Sequence, residues 1–169
     1  LAERQFGGIL ADDMGLGKTL QMMAVLLAAK LENTAEHIVS LVVSPASLVF
    51  NWGEEFSRFA PELKVCLVTG TQTERQKMID SYQDYDVLVT SYDLLKRDIH
   101  LYEKCQFEYQ VIDEAQYIKN HTIAAAKAVK VIKSIHRFAL TGTPIENRLS
   151  ELWSIFDYLM PGFLYTYEA

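Results

Sequence analysis

The sequence predicts an α/β domain, a mainly parallel central sheet of six or seven strands with helices on both of its faces. Two observations predict it. Short β-branched, apolar runs alternate with longer stretches of helical spacing along the chain, the signature of repeated βα units. Polar segments rich in glycine, hydroxyl or carboxylate groups directly follow several of these runs, and strand ends are where open α/β sheets bind ligands. The 169 residues, half of them apolar, suit one domain spanning 1–169 with a substantial core.

The strand runs are Gly8 to Ala11, Val39 to Ser44, Val65 to Thr69, Val87 to Thr90, Tyr109 to Ile112 and Phe138 to Thr141; Phe163 to Tyr165 supplies the seventh. Between the first two, Lys18 to Leu31 reads as a helix whose apolar side includes Met22, Val25, Leu26 and Ala29. Ser44-Pro45 reads as a helix entry, because a hydroxyl can cap and proline is tolerated in the first turn. Leu48, Trp52, Phe56 and Phe59 then recur at steps of four, four and three, which makes one buried stripe. The last helix carries Leu149, Leu152, Phe156 and Leu159 and ends at Pro161-Gly162. No repeat or linker interrupts the pattern.

Composition narrows the function classes. The longest apolar run, Met22 to Ala29, falls far short of the roughly 20 residues that span a bilayer, and no charged-then-apolar leader opens the chain, so a soluble, unsecreted protein without membrane partners is expected. Cys66 and Cys105 lie far apart without a neighbouring cysteine or histidine at ligand spacing, which disfavours zinc and fits reduced core thiols. The net charge of −6 argues against a broad basic face, so any nucleic-acid contact is local.

The strongest local signal is Asp13-Met14-Gly15-Leu16-Gly17-Lys18-Thr19, set between the first strand and a helix. Glycines let successive N–H groups converge on an anion, and the following helix points its positive end there. A triphosphate is the natural guest: Lys18 neutralises its β and γ phosphates and the Thr19 hydroxyl holds magnesium. The usual pattern begins with a glycine separated by four residues from the Gly-Lys pair, and Asp12 stands there instead. The second signal is Val111-Ile112-Asp113-Glu114-Ala115-Gln116, a strand ending in adjacent carboxylates. Asp113 is expected to hold magnesium, and Glu114 to orient the attacking water and accept its proton. Leu140-Thr141-Gly142-Thr143-Pro144, a third strand end, offers hydroxyls where a γ-phosphate sensor could sit. A glycine-rich turn with an unrelated lysine, and solvated loop acids, are the bland alternatives.

Together these stretches resemble the SWI/SNF-like family of helicase-related DNA translocases, which use paired RecA-like lobes. The resemblance runs from about Gly7 to Gly162 and rests on Ile9 to Gln21, Leu41 to Trp52, Val89 to Tyr92, Val111 to Asn120, and Leu140 to Pro144 with Asn147 and Glu151 to Trp153. It implies a RecA-like first lobe that takes ATP and Mg2+ at Met14, Gly15, Leu16, Gly17, Lys18, Thr19, Leu20 and Gln21. Lys18, Asp113 and Glu114 would be catalytic, Thr19 and Asp113 would hold the metal, and Gln116, Thr141, Gly142 and Thr143 would couple nucleotide to motion.

The same resemblance puts Ser44, Pro45, Asn51, Trp52, Thr90, Ser91, Tyr92, Lys119 and Asn120 in or near stretches facing nucleic acid, although Trp52 also reads as core. Hydroxyls, backbone N–H groups and one lysine grip phosphates without reading bases, as a motor that steps along any sequence requires. Implied partners are duplex DNA, a second RecA-like lobe of the same polypeptide beyond residue 169, and a DNA-bound protein that the motor displaces. That second lobe would bring the arginine fingers, worth on the order of 10³ to 10⁵ in rate, so this lobe by itself is expected to bind Mg-ATP weakly and barely hydrolyse it. Gln116 stands where most of the family has histidine. A lobe without long insertions is similar to bacterial members, which implies the bacterial cytoplasm and nucleoid, or the nucleus for a eukaryotic source. The alternatives are a strand-separating helicase, a P-loop small-molecule kinase, and a non-catalytic nucleotide-gated module.

Overall fold

Six of the apolar runs form strands, and all pair in parallel in one sheet ordered β1-β6-β5-β2-β4-β3. The computed structural model describes residues 8–11, 15–116, 118, 123–141 and 158. The strands are β1 Gly8–Ala11, β2 Ser40–Ser44, β3 Val65–Leu67, β4 Val87–Ser91, β5 Phe107–Ile112 and β6 Ser134–Thr141. The helices are α1 Gly15–Glu32, α2 Val49–Phe59, α3 Gln72–Asp80, α4 Tyr92–Asp98 and α5 Ile123–Val131. The candidate seventh strand at Phe163 to Tyr165 and the helix bearing Leu149, Leu152, Phe156 and Leu159 lie outside the described residues.

Helices cover both faces, which is why β2 and β4 are buried at every residue and read as continuous apolar runs rather than alternating ones. Register puts Val89, Val42, Val111 and Phe138 in one row across four strands. Met22, Met23 and Leu26 of α1 and Trp52 and Phe56 of α2 pack in the same core as that row. On the other face Leu88, Leu41, Phe107 and Ile112 meet Ile79 of α3, Tyr92 and Leu95 of α4, and Ala128 and Val129 of α5. Both cysteines are free and buried. Among the described residues no helix is long and apolar enough to cross a membrane.

Several sequence expectations need correction. β5 and β6 begin earlier than their apolar runs, at Phe107 and Ser134. Their polar residues are satisfied in place, the buried Gln110 amide donating to the Val129 carbonyl at 2.8 Å and accepting from the Ser134 hydroxyl. β3 is shorter, ending at Leu67. Ser44-Pro45 does not cap α2: the Ser44 hydroxyl donates to the Pro45 carbonyl at 3.0 Å, and a 3-10 turn at Ala46–Leu48 intervenes. Phe59 does not complete the buried stripe. It is 42% exposed, while the next residue, Ala60, is buried and the Arg58 guanidinium lies 5.3 Å from the Phe59 ring centroid.

Candidate functional site

In an all-parallel sheet every strand ends on the same edge, so β1, β2, β4, β5 and β6 present their C-terminal ends there although they are far apart in sequence. α1 begins at Gly15, three residues before the expected Lys18, so both loop glycines and Lys18 belong to its first turn. That turn carries unsatisfied N–H groups and the positive end of the dipole, the elements of an anion site. Asp12, Asp13 and Met14 lie outside the described residues.

Lys18 is 3% exposed. Its Nζ lies 3.9 Å from Asp113 Oδ1 and 3.7 Å from Glu114 Oε1. Folding therefore brings the lysine and the acidic pair together, across roughly ninety-five residues of chain. A buried ammonium needs counter-charges, and these two carboxylates supply them. Thr19, the next residue, is half-buried, and Leu20 and Gln21 continue α1 away from the acids.

The loop bearing the acids is pinned from three strands. The Asp113 N–H donates to the Val43 carbonyl of β2 at 2.7 Å, and the Ala115 N–H donates to the Leu140 carbonyl of β6 at 2.7 Å. The Tyr92 hydroxyl, which follows β4, donates to the Asp113 carbonyl at 2.7 Å. Between these anchors Glu114 adopts φ 52°, in the left-handed region that a residue with a Cβ enters at a cost of about 1–2 kcal/mol. Such a conformation persists only where the surroundings over-determine it.

The Asp113 carboxylate is buried and doubly held. Its Oδ2 accepts from the Trp52 indole N–H at 2.9 Å, and its Oδ1 accepts from the Glu114 N–H at 2.9 Å. Burial pushes its pKa above the ordinary Asp value; the Trp52 hydrogen bond and the Lys18 charge pull it back, and the neighbouring Glu114 charge pushes it up further. Glu55 of α2 is also raised, first by burial and then by repulsion from Asp113, against the pull of Arg58.

A second chain of hydrogen bonds leaves Glu114. Gln116 Nε2 donates to Glu114 Oε2 at 2.6 Å, and the Thr141 hydroxyl at the end of β6 donates to Gln116 Oε1 at 3.1 Å. The amide, donor at one end and acceptor at the other, ties the carboxylate to a neighbouring strand end. Gly142 and Thr143, the other coupling candidates, lie outside the described residues.

Most of the residues expected near nucleic acid lie inside the lobe. Ser44, Trp52, Thr90, Ser91 and Tyr92 are all buried, at most 3% exposed, and their polar groups are engaged inside the protein. Ser91 caps α4 by accepting from the Leu94 N–H at 3.1 Å, and the Thr90 hydroxyl donates to the Val68 carbonyl. Side chains at strand ends in a sheet covered on both faces point into the core rather than outward. Pro45 is half-buried and Asn51 exposed; Lys119 and Asn120 lie outside the described residues.

The indole tie of Trp52, the hydroxyl tie of Tyr92 and the nearness of Glu55 to Asp113 are features that sequence spacing did not reveal. One signal could have found the first: a buried indole N–H requires an acceptor, and the acids at the same sheet edge are the nearest available in kind. A cleft of about 660 Å³ lies at the opposite edge of the sheet, by Ile99, Tyr102, Val131 and Ile132, away from these residues.

Hard oxygen donors suit magnesium, which takes one or two carboxylates with substrate phosphates and waters rather than a protein cage. Asp113 and the Thr19 hydroxyl are such donors beside Lys18. Among the described residues no cluster of three or more His, Cys, Asp or Glu could hold a metal by itself.

The family described as the SNF2-related domain matches residues 1–169. An uncharacterised ATP-dependent helicase of Mycoplasma pneumoniae is 47% identical over 97% of this chain and 16% of its own length. The TATA-binding protein-associated factor MOT1 of Saccharomyces cerevisiae is 43% identical over 94% of the chain and 9% of its own. The solved Sulfolobus solfataricus SWI2/SNF2 ATPase core in complex with double-stranded DNA superposes with a TM-score of 0.87 at 48% identity, over 99% of this chain and 34% of that one. The chain thus spans less than a fifth of these curated relatives, and a third of that structure.

Proposed function

Because this chain belongs to the SNF2-related family, we propose that it is the ATP-binding first lobe of a motor that moves along duplex DNA and displaces protein bound there. The observation that carries the reading is the burial of Lys18 within 3.9 Å of Asp113 and 3.7 Å of Glu114 at the start of a helix that follows a parallel strand. Few arrangements other than a metal-triphosphate site need a buried cation, paired carboxylates and an anion-binding helix start at one point.

In this reading the α1 N–H groups and Lys18 hold the phosphates, and Lys18 exchanges its carboxylate partners for phosphate oxygens. Asp113 and Thr19 would hold magnesium, which when bound would neutralise charge on the phosphates. Glu114 orients water and accepts its proton; its left-handed backbone aims the carboxylate, and Gln116 restrains it. Through Thr141 that restraint reaches β6, so a change at the carboxylate is felt at the adjoining strand end. Arginine fingers come from a second lobe, and this lobe without them hydrolyses ATP barely.

The duplex track is supported by the resemblance to an ATPase core solved with double-stranded DNA, and the displaced protein by the likeness to a TATA-binding protein-associated factor. Pro45 and Asn51 are the expected nucleic-acid contacts that remain at the surface, with Lys119 and Asn120 on the segment after the acids. The test is ATP hydrolysis by the full-length protein with duplex or single-stranded DNA, together with displacement of a third strand from a triplex. Duplex-stimulated turnover with displacement supports the proposal. Stimulation by single strands alone, with strand separation, supports instead the helicase reading that the name of the Mycoplasma relative favours.

A further inference from the structure

We propose that Trp52 is the positioning residue that orients the Asp113 carboxylate toward the metal-nucleotide, an inference that rests on the ATP-site reading above. The two carboxylate oxygens are unlike. Oδ1 accepts from the Glu114 N–H at 2.9 Å and faces Lys18 Nζ at 3.9 Å, so it lies on the side where phosphate is expected. Oδ2 is turned away and accepts from the Trp52 indole at 2.9 Å. A single-bond rotation about the Asp113 side chain would exchange the two, and the indole opposes that rotation.

Trp52 suits this role. Its N–H is a donor and never an acceptor, so it holds an oxygen that must itself accept. The ring is 2% exposed and packs on Phe56 with centroids 5.8 Å apart, so its direction is set by the core of α2. Val43, Tyr92 and Leu140 hold the backbone of the acidic loop; the indole adds a tie from α2 to the Asp113 side chain itself. Ligating carboxylates generally need such an outer hydrogen bond, and its loss typically lowers metal affinity 10–100-fold.

The experiment titrates the full-length protein with a fluorescent ATP analogue, once with magnesium and once in EDTA. Trp52→Phe keeps an aromatic ring and removes the donor. Site-specific benzothienylalanine at the same position keeps the bicyclic shape with sulfur in place of N–H, so the comparison survives if the smaller ring unfolds the protein. Both changes should leave affinity in EDTA intact and reduce the magnesium-dependent gain about 10-fold. Added to Asp113→Asn, they should have no further effect. An unchanged magnesium gain in the benzothienylalanine protein overturns the proposal; so does an equal loss with and without magnesium, which marks a structural role. If the unaltered protein binds no nucleotide under either condition, the ATP-site reading itself fails, a result distinct from both.

Discussion

The left-handed backbone at Glu114 should make glycine more stabilising than alanine at that position, reversing the order found in helices and strands. Both substitutions remove the carboxylate, its hydrogen bond from Gln116 and its attraction to Lys18, so those losses cancel when Glu114→Gly is compared with Glu114→Ala. What remains is φ 52°. A Cβ there costs about 1–2 kcal/mol, whereas glycine's greater freedom in the unfolded chain costs about 0.5–1 kcal/mol. The net favours glycine by up to about 1.5 kcal/mol. For a chain of this size that is at most roughly 3–6 °C in Tm. Urea and thermal unfolding of the two variants, side by side, measure it. Both should have lost hydrolysis, because neither can accept the water's proton. An alanine variant as stable as the glycine variant, or more so, would refute the idea that strain is stored at the Glu114 backbone.

Three further outcomes are expected. In the full-length protein Lys18→Ala should abolish nucleotide binding, whereas Glu114→Gln should bind ATP and not turn it over; fluorescent-nucleotide titration and phosphate release separate these, and equal affinity in Lys18→Ala and the unaltered protein counts against the site. Arg75 grips Asp98 through Nε at 2.7 Å and Nη2 at 2.9 Å, with Asp98 1% exposed, so Arg75→Met should cost about 3–5 kcal/mol by leaving a buried charge unpaired, and the double change to Met and Leu should recover much of it; denaturant midpoints decide. Asp113 has a raised folded pKa, so stability from this residue is full below the ordinary Asp pKa and is lost as pH rises through the raised value. Asp113→Asn should therefore gain stability relative to the unaltered chain on going from pH 4 to 7 without nucleotide, and a pH-independent difference would contradict the burial of this carboxylate.

How much could be read from the letters follows from where each signal resides. Strand runs such as Val39 to Ser44 and Val87 to Thr90 were legible because a strand covered on both faces favours apolar residues along its length, and that demand is local. Lys18, Thr19, Asp113 and Glu114 were legible for a related reason: each lies next to a strand end, and parallel strands all end on one edge. Their register was not legible, yet the row Val89, Val42, Val111, Phe138 sets how closely the edges align. The polar starts of β5 and β6 were missed because Gln110, Ser134 and His136 carry no apolar signal, and their hydrogen-bond partners come from other elements.

The sequence alone determined the α/β class, the glycine-lysine turn at the start of α1 and the identity of the acids at the end of β5, since these depend on residue type and neighbours along the chain. Tertiary structure decided which oxygen of Asp113 meets which donor, that Trp52, Ser91 and Tyr92 are buried with their polar groups bonded inside the lobe, and that Gln116 joins Glu114 to Thr141. Each of these is a contact between elements that are remote in sequence and fixed only by packing. Hydroxyls and indoles can serve a ligand or the protein's own backbone equally well, and it is burial, a property of the assembled sheet, that chooses between them.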